Sequence, residues 1–146
     1  MKIYIGSDHA GFKLKSAILE KLKSEGHEVV DLGTNSLDSC HYPEFASLVA
    51  KEVSQGNGQG ILFCGSGIGV SMVANRYQNV RAALCRTTTE AELSRKHNDA
   101  NIICLGERLT EQSLAFDIVE TWMKTDFEGG RHQGRVDLFN SLGEKA

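Results

Sequence analysis

One stretch near the middle of the chain, Ile61-Leu-Phe-Cys64-Gly65-Ser66-Gly67-Ile68-Gly69-Val70-Ser-Met-Val-Ala-Asn75, constrains the fold more than any other. A short apolar run breaks at glycines on alternate positions and resumes with small and aliphatic residues. That pattern describes a buried strand, a tight turn and the start of a helix. Backbone N–H groups at such a turn lack intrahelical partners and converge above it, where the helix dipole also favours negative charge. Cys64, at the last strand position, meets the same donors, which would stabilise its thiolate. A structural βα turn with packing glycines and an inert cysteine produces the same short pattern, so the neighbouring motifs must decide. The dinucleotide fingerprint is absent, because Val70 stands where its third glycine belongs, and no Gly-Lys-Ser/Thr follows for a P-loop.

Around this stretch, strands and helices alternate. Lys2–Gly6 is a β-rich run ending in the turn residues Gly6-Ser7-Asp8-His9. Between Ala10 and Glu25, Leu14, Ile18 and Leu22 recur every four residues among lysines and glutamates, one buried stripe of an amphipathic helix closed by Gly26. Glu28–Leu32 is a second strand, and Pro43 suits the first turn of a helix reaching about Ser54. The helix after the glycines extends to about Tyr77, and Val80–Cys85 is a fourth strand. Thr89 and Glu92 form a capping box for a helix ending near His97. Asn101–Leu105 is a fifth strand, and Thr110 caps a helix whose face joins Leu114, Ala115, Ile118, Val119, Trp122 and Met123. A last helix runs from about Arg131 to Leu142.

Five short strands alternating with helices predict a three-layer α/β/α fold around a five-stranded parallel sheet, Rossmann-like, as a single domain over 1–146. Ligands of such sheets sit beyond the carboxyl ends of the strands. That rule gathers Asp8, His9, Cys64–Gly69, Arg86, Glu107 and Arg108 on one rim.

The 146 residues fit one hydrophobic core, and a net charge of −3 supplies no global field for nucleic acid or anionic membrane. No apolar run approaches the ~20 residues of a membrane span, and no signal-peptide pattern opens the chain. Cys40, Cys64, Cys85 and Cys104 show no Cys-x-x-Cys spacing, which favours reduced thiols in a cytoplasmic protein over a disulfide framework or a zinc site.

Three further motifs bear on chemistry. Asp8-His9 ends a strand at the rim, where Asp also serves as a helix N-cap. His97-Asn98 closes a helix, where the dipole favours a cation and a neutral imidazole could equally shuttle a proton. Arg131 and Arg135, spaced i, i+4, place two cations on the first turns of a helix whose dipole disfavours them. A bound phosphate relieves that conflict, since guanidinium pairs match its geometry. Together these residues suit proton abstraction beside a carbonyl in a small phosphorylated molecule: a cysteine base, amides for the oxyanion and arginines for the phosphate. No metal-ligand cluster is apparent.

The blocks Gly-Ser-Asp-His-Ala-Gly (6–11), Cys-Gly-Ser-Gly-Ile-Gly (64–69), Ser-Arg-Lys-His-Asn-Asp-Ala-Asn (94–101) and Glu-Gly-Gly-Arg-His-Gln-x-Arg (128–135) resemble the signatures of the ribose-5-phosphate isomerase B family. Tyr42-Pro43, Ala74-Asn75 and Gly106-x-Arg108 agree, so the resemblance spans essentially the whole chain. It implies an aldose–ketose isomerase that interconverts D-ribose 5-phosphate and D-ribulose 5-phosphate through an enediolate. In that assignment Cys64 is the base, Ser66 and the backbone of Gly65, Gly67, Ile68 and Gly69 hold the enediolate oxygens, and His97 opens the furanose ring. Asp8 and Asn98 meet sugar hydroxyls, and His9, Arg108, Arg131 and Arg135 contact phosphate and sugar. The family needs no metal or organic cofactor and works as a homodimer or dimer of dimers with sites between subunits. The C-terminal helix, about 131–142, is expected at such an interface.

One branch of the family carries its base on a glutamate at the position of Val70, which cannot accept a proton. Other members isomerise allose or galactose 6-phosphate, and the motifs do not distinguish sugar length. A reading from another class remains: a non-catalytic sugar-phosphate or nucleotide-binding domain, with Cys64 as packing and Arg86 on a phosphate.

Overall fold

The computed structural model describes residues 2–143; Met1 and residues 144–146 of the expected domain lie outside the described residues. Five strands, β1 (Ile3–Ser7), β2 (Val29–Asp31), β3 (Gln59–Cys64), β4 (Ala82–Leu84) and β5 (Ile102–Gly106), alternate with helices. The helices are α1 (Phe12–Ser24), α2 (Tyr42–Ser54), α3 (Ile68–Ala74), α4 (Thr88–Asn98), α5 (Gln112–Lys124) and α6 (Arg131–Asp137). Single 3₁₀ turns precede α1 (His9–Gly11) and follow α6 (Leu138–Ser141).

All strand pairs are parallel, in the order β2-β1-β3-β5-β4. Side chains alternate across the sheet as the strand period requires. Ile3, Ile5, Ile61, Phe63, Ile103 and Leu105 pack on one face with Leu14, Ile18 and Leu22 of α1 and Ala115, Ile118, Val119 and Trp122 of α5. Tyr4, Leu62, Cys64, Ile102 and Cys104 pack on the other with Ala46, Val49, Ala50 and Val53 of α2 and Val70 and Ala74 of α3. Strands buried on both faces explain why each reads as a nearly continuous apolar run.

Five local expectations are corrected. The N-cap of α4 is Thr87, whose hydroxyl accepts the Glu90 amide at 3.0 Å, while Glu90 accepts the Arg86 amide at 2.6 Å. The run Thr87-Thr-Thr-Glu-Ala-Glu92 contains two overlapping boxes, and the earlier start turns Ala91 and Ser94 into the core. Thr110 does not cap α5: the N-cap is Glu111, without a side-chain bond, and the Thr110 hydroxyl is buried. Leu114 lies off the buried stripe of α5, 40% exposed. The glycine-turn helix α3 stops at Ala74 rather than Tyr77, and α6 gives way to a 3₁₀ turn after Asp137.

Candidate active site

The chain leaves β1 toward β2 on one side and returns from β2 to β3 on the other, so the topological switch point lies between β1 and β3. Crevices at such points are where ligands of open parallel sheets bind. The register pairs Ser7 with Phe63, which sets Asp8 and Cys64 side by side at the mouth of this crevice. Asp8 is buried, and its Oδ1 accepts the Gly11 amide at 3.1 Å. A Cβ on Gly11 would stand 2.7 Å from the Phe63 carbonyl carbon, so the turn closes against the end of β3 only with glycine there. His9 accepts the Cys40 amide through Nδ1 at 3.2 Å, which leaves the proton of the neutral ring on Nε2.

The glycine turn is a donor nest around Cys64. Gly67 takes φ +78°, and its amide donates to Cys64 Sγ at 3.1 Å. Ile68 donates to Ser66 Oγ at 3.2 Å. The Gly69 and Val70 amides have no acceptor among the described residues. The Tyr42 ring packs on Gly69 and the Arg108 guanidinium on Gly65, each where a Cβ would intrude, at 2.6 and 3.0 Å respectively. A helix as short as α3 contributes little macrodipole, so individual amides are the main donors to an anion here. Glu107 has a structural role on this rim, accepting the Leu14 amide at 2.7 Å and tying α1 to β5. Arg86 is exposed at the rim beyond β4. Burial pushes the Cys85 thiol up to about 11 and Cys104 well above its ordinary value, so neither suits a base.

His97, Asn98, Arg131 and Arg135 are elsewhere. Helix α4 starts at the carboxyl rim and runs back, ending just before β5 begins. There the Asn98 carbonyl accepts from Arg81 Nε at 3.1 Å, at the entry to β4. His97 stacks on His132 of α6, ring centroids 4.4 Å apart, and the Glu128 amide donates to the Lys96 carbonyl at 3.2 Å. Arg131 and Arg135 are exposed on α6 beside this stack. A five-residue strand rises roughly 3.3 Å per residue, so roughly 15 Å of sheet separates the two ends. Within one chain, Cys64, Ser66, Asp8, His9 and Arg108 share one rim, and His97, Asn98, Arg131 and Arg135 share the opposite one.

His132, read from the sequence only as a neighbour of Arg131, is buried between these groups. Its pKa is lowered, first by desolvation and then by the charges of His97 and Arg131. His97, Glu128 and His132 bring their ligand atoms within 4.8 Å of one another. Glu128 and His132 are spaced i, i+4, but His97 is too far from both in sequence for spacing to reveal the grouping. Tyr42 was visible only as a motif neighbour of Pro43, and nothing in its own pattern pointed to the nest.

The family described as Ribose/Galactose Isomerase matches residues 3–139. An Escherichia coli (strain K12) protein named ribose-5-phosphate isomerase B is 43% identical, the match covering 99% of this chain and 97% of that protein. Ribose-5-phosphate isomerase B from Clostridium thermocellum superposes with a TM-score of 0.94 at 49% identity, covering 96% of this chain and 95% of that one. The Mycoplasma genitalium enzyme, solved with bound ribulose-5-phosphate, superposes with a TM-score of 0.92 at 45% identity over 95% of this chain and 93% of its own.

Proposed function

This chain belongs to the ribose/galactose isomerase family, and from that premise we propose that it interconverts D-ribose 5-phosphate and D-ribulose 5-phosphate as an aldose–ketose isomerase. The observation that carries the chemistry is the donation of the Gly67 amide to Cys64 Sγ at the switch point. A sulfur held by a nest donor at a strand end is placed to act as a thiolate base. It takes the proton from C2 of the open-chain aldose and returns it to C1. Free amides of the turn and the Ser66 hydroxyl hold the enediolate oxygens, donors fixed before charge develops. Asp8 accepts from a sugar hydroxyl, and Arg108 and His9 Nε2–H donate at the same rim.

The ring-opening acid comes from a second copy of the chain. His97, Asn98, Arg131 and Arg135 lie at the far end of their own sheet, which supports a site that joins one subunit's carboxyl rim to its neighbour's amino rim. In that arrangement His97 delivers a proton to the furanose ring oxygen and the two arginines hold the phosphate. The exposed apolar side chains of Leu138 (67%), Phe139 (45%) and Leu142 (66%), just beyond α6, support burial of this segment between subunits of a homodimer or dimer of dimers. Four free cysteines support a reducing, cytoplasmic setting.

The test is proton NMR of ribose 5-phosphate in deuterated water. Wild-type protein should form the ketose and exchange the C2 proton, whereas Cys64→Ala should bind the sugar phosphate without exchange. Exchange that survives in Cys64→Ala would put the base elsewhere.

A further inference from the structure

Helix α4 ends on a residue that its local chemistry disfavours. Asp99, the C-cap, takes the left-handed conformation at φ +45°, where glycine is the usual choice. Its carboxylate also stands at the helix end whose dipole repels an anion. Two arginines supply the compensating contacts. Arg95 Nη1 donates to Asp99 Oδ1 at 2.8 Å and to the Ala100 carbonyl at 2.6 Å. Arg81, the residue before β4, donates Nε to the Asn98 and Asp99 carbonyls, each at 3.1 Å, and Nη2 to the Asp99 carbonyl at 2.9 Å. Its Nη2 also meets Asp99 Oδ2 at 3.4 Å. Both carbonyls belong to the set that a helix C-terminus leaves without partners, and they directly follow His97. Arg81 is itself held in place. Its amide donates to Asn101 Oδ1 at 2.8 Å, and the next residue, Ala82, exchanges two hydrogen bonds with the Asn75 side chain at 2.8 and 2.9 Å.

We propose that Arg81 is a positioning residue for the isomerisation: its guanidinium locks the end of α4 to the edge of the sheet and so sets where His97 and Asn98 meet the neighbouring subunit's rim. This role rests on those proposed for His97 and Asn98. A ring-opening acid must come within hydrogen-bond reach of the ring oxygen, and misplacement by about 1 Å can cost ~10²-fold in rate. Because His97 reaches across a subunit boundary, its place relative to its own sheet fixes its place over the sugar. The stacked ring of His132 steadies one side of His97, and Arg81 holds the backbone just after it. The geometry calls for arginine rather than for any cation. Its planar fork presents Nε and Nη2 to three acceptor oxygens at fixed spacing, whereas a lysine ammonium is a single point on a flexible stem. Asp99 keeps Arg95 as a partner and is partly solvated, so replacing Arg81 leaves no buried unpaired charge and the variants should fold.

The experiment compares two rates in the assembled protein. Turnover of ribose 5-phosphate starts from a furanose ring. Solvent exchange of a C1 proton of ribulose 5-phosphate, followed by proton NMR in deuterated water, starts from an open chain and needs no ring opening. Circular dichroism and gel filtration check the fold and assembly of each variant. His97→Asn is the reference and should lose turnover by a larger factor than exchange. Arg81→Lys should show the same selective loss, with turnover falling about 10–100-fold and exchange much less. Arg81→Gln, a second variant without the fork, should repeat it. In a His97→Asn background Arg81→Lys should add no further selective loss, because both changes act through one group. A role confined to stability would lower both rates by one factor. Equal loss of the two rates in both Arg81 variants, or no loss in either, overturns the positioning role, while a selective loss in His97→Asn would leave the His97 reading standing. If His97→Asn itself shows no selective loss, both fall together.

Discussion

Gly67→Ala separates backbone strain from steric exclusion in the nest. At φ +78° an L-residue bears a left-handed conformation costing ~1–2 kcal/mol. Its Cβ would also stand 2.6 Å from Leu84 Cδ1 and 2.9 Å from the Leu105 carbonyl carbon. Leu84 can rotate aside, but Leu105 is central backbone of β5 and cannot. Overpacking of this kind adds about 1–3 kcal/mol, for a total of ~2–5 kcal/mol. Gly56→Ala is the internal control, because Gly56 has φ +79° with nothing within 4 Å of a Cβ. It should cost only the conformational ~1–2 kcal/mol. Urea unfolding of both variants at one protein concentration reads the difference. Gly67→Ala should also shift the amide that meets Cys64 Sγ, and losing one such donor typically lowers kcat ~10²–10³-fold. The reasoning is refuted if the two variants unfold at the same urea concentration, or if Gly67→Ala isomerises at the wild-type rate.

Other outcomes follow from the same geometry. Lys15, 1% exposed, donates to both Asp31 oxygens at 2.7 and 2.8 Å and to the Thr34 carbonyl at 2.7 Å. Lys15→Met should cost about 3 kcal/mol in urea unfolding, the low end for breaking a buried pair, because Asp31 keeps some solvent. Because the pKa of His132 is lowered in the fold, the unfolded chain takes up that proton first as pH falls below the ordinary histidine range. Stability should therefore decline with falling pH from about 6.5 downward, and His132→Gln should flatten that part of the profile in urea midpoints measured across pH. Mixing inactive Cys64→Ala with inactive His97→Asn or Arg131→Ala under subunit exchange should restore part of the activity. Full failure to recover despite proven exchange would rule out a shared site. Arg131→Ala and Arg135→Ala should weaken ribose 5-phosphate binding in calorimetry and remove the protection that inorganic phosphate gives against heat; wild-type affinity would place the phosphate elsewhere.

What the sequence determined by itself is local. Period-four apolar residues wrote α1, continuous apolar runs wrote β3 and β5, and the alternate glycines wrote the turn at Cys64, because each depends on near neighbours and on elementary sterics. The four signature blocks also carried the family, since their order along the chain is itself sequence information. Where patterns overlapped, as at Thr87–Glu92, local rules allowed two helix starts and packing of Ala91 and Ser94 chose between them. Only the tertiary structure decided the strand order, and with it that Asp8 and Cys64 flank one crevice. It also decided that His97 lies a full sheet length from Cys64, because the direction and length of α4 carry the end of that helix back to the opposite rim. His97 meets Glu128 and His132 there for the same reason: the i, i+4 spacing of Glu128 and His132 is legible along the chain, but the approach of His97 is set by the docking of α6 and the segment before it against α4.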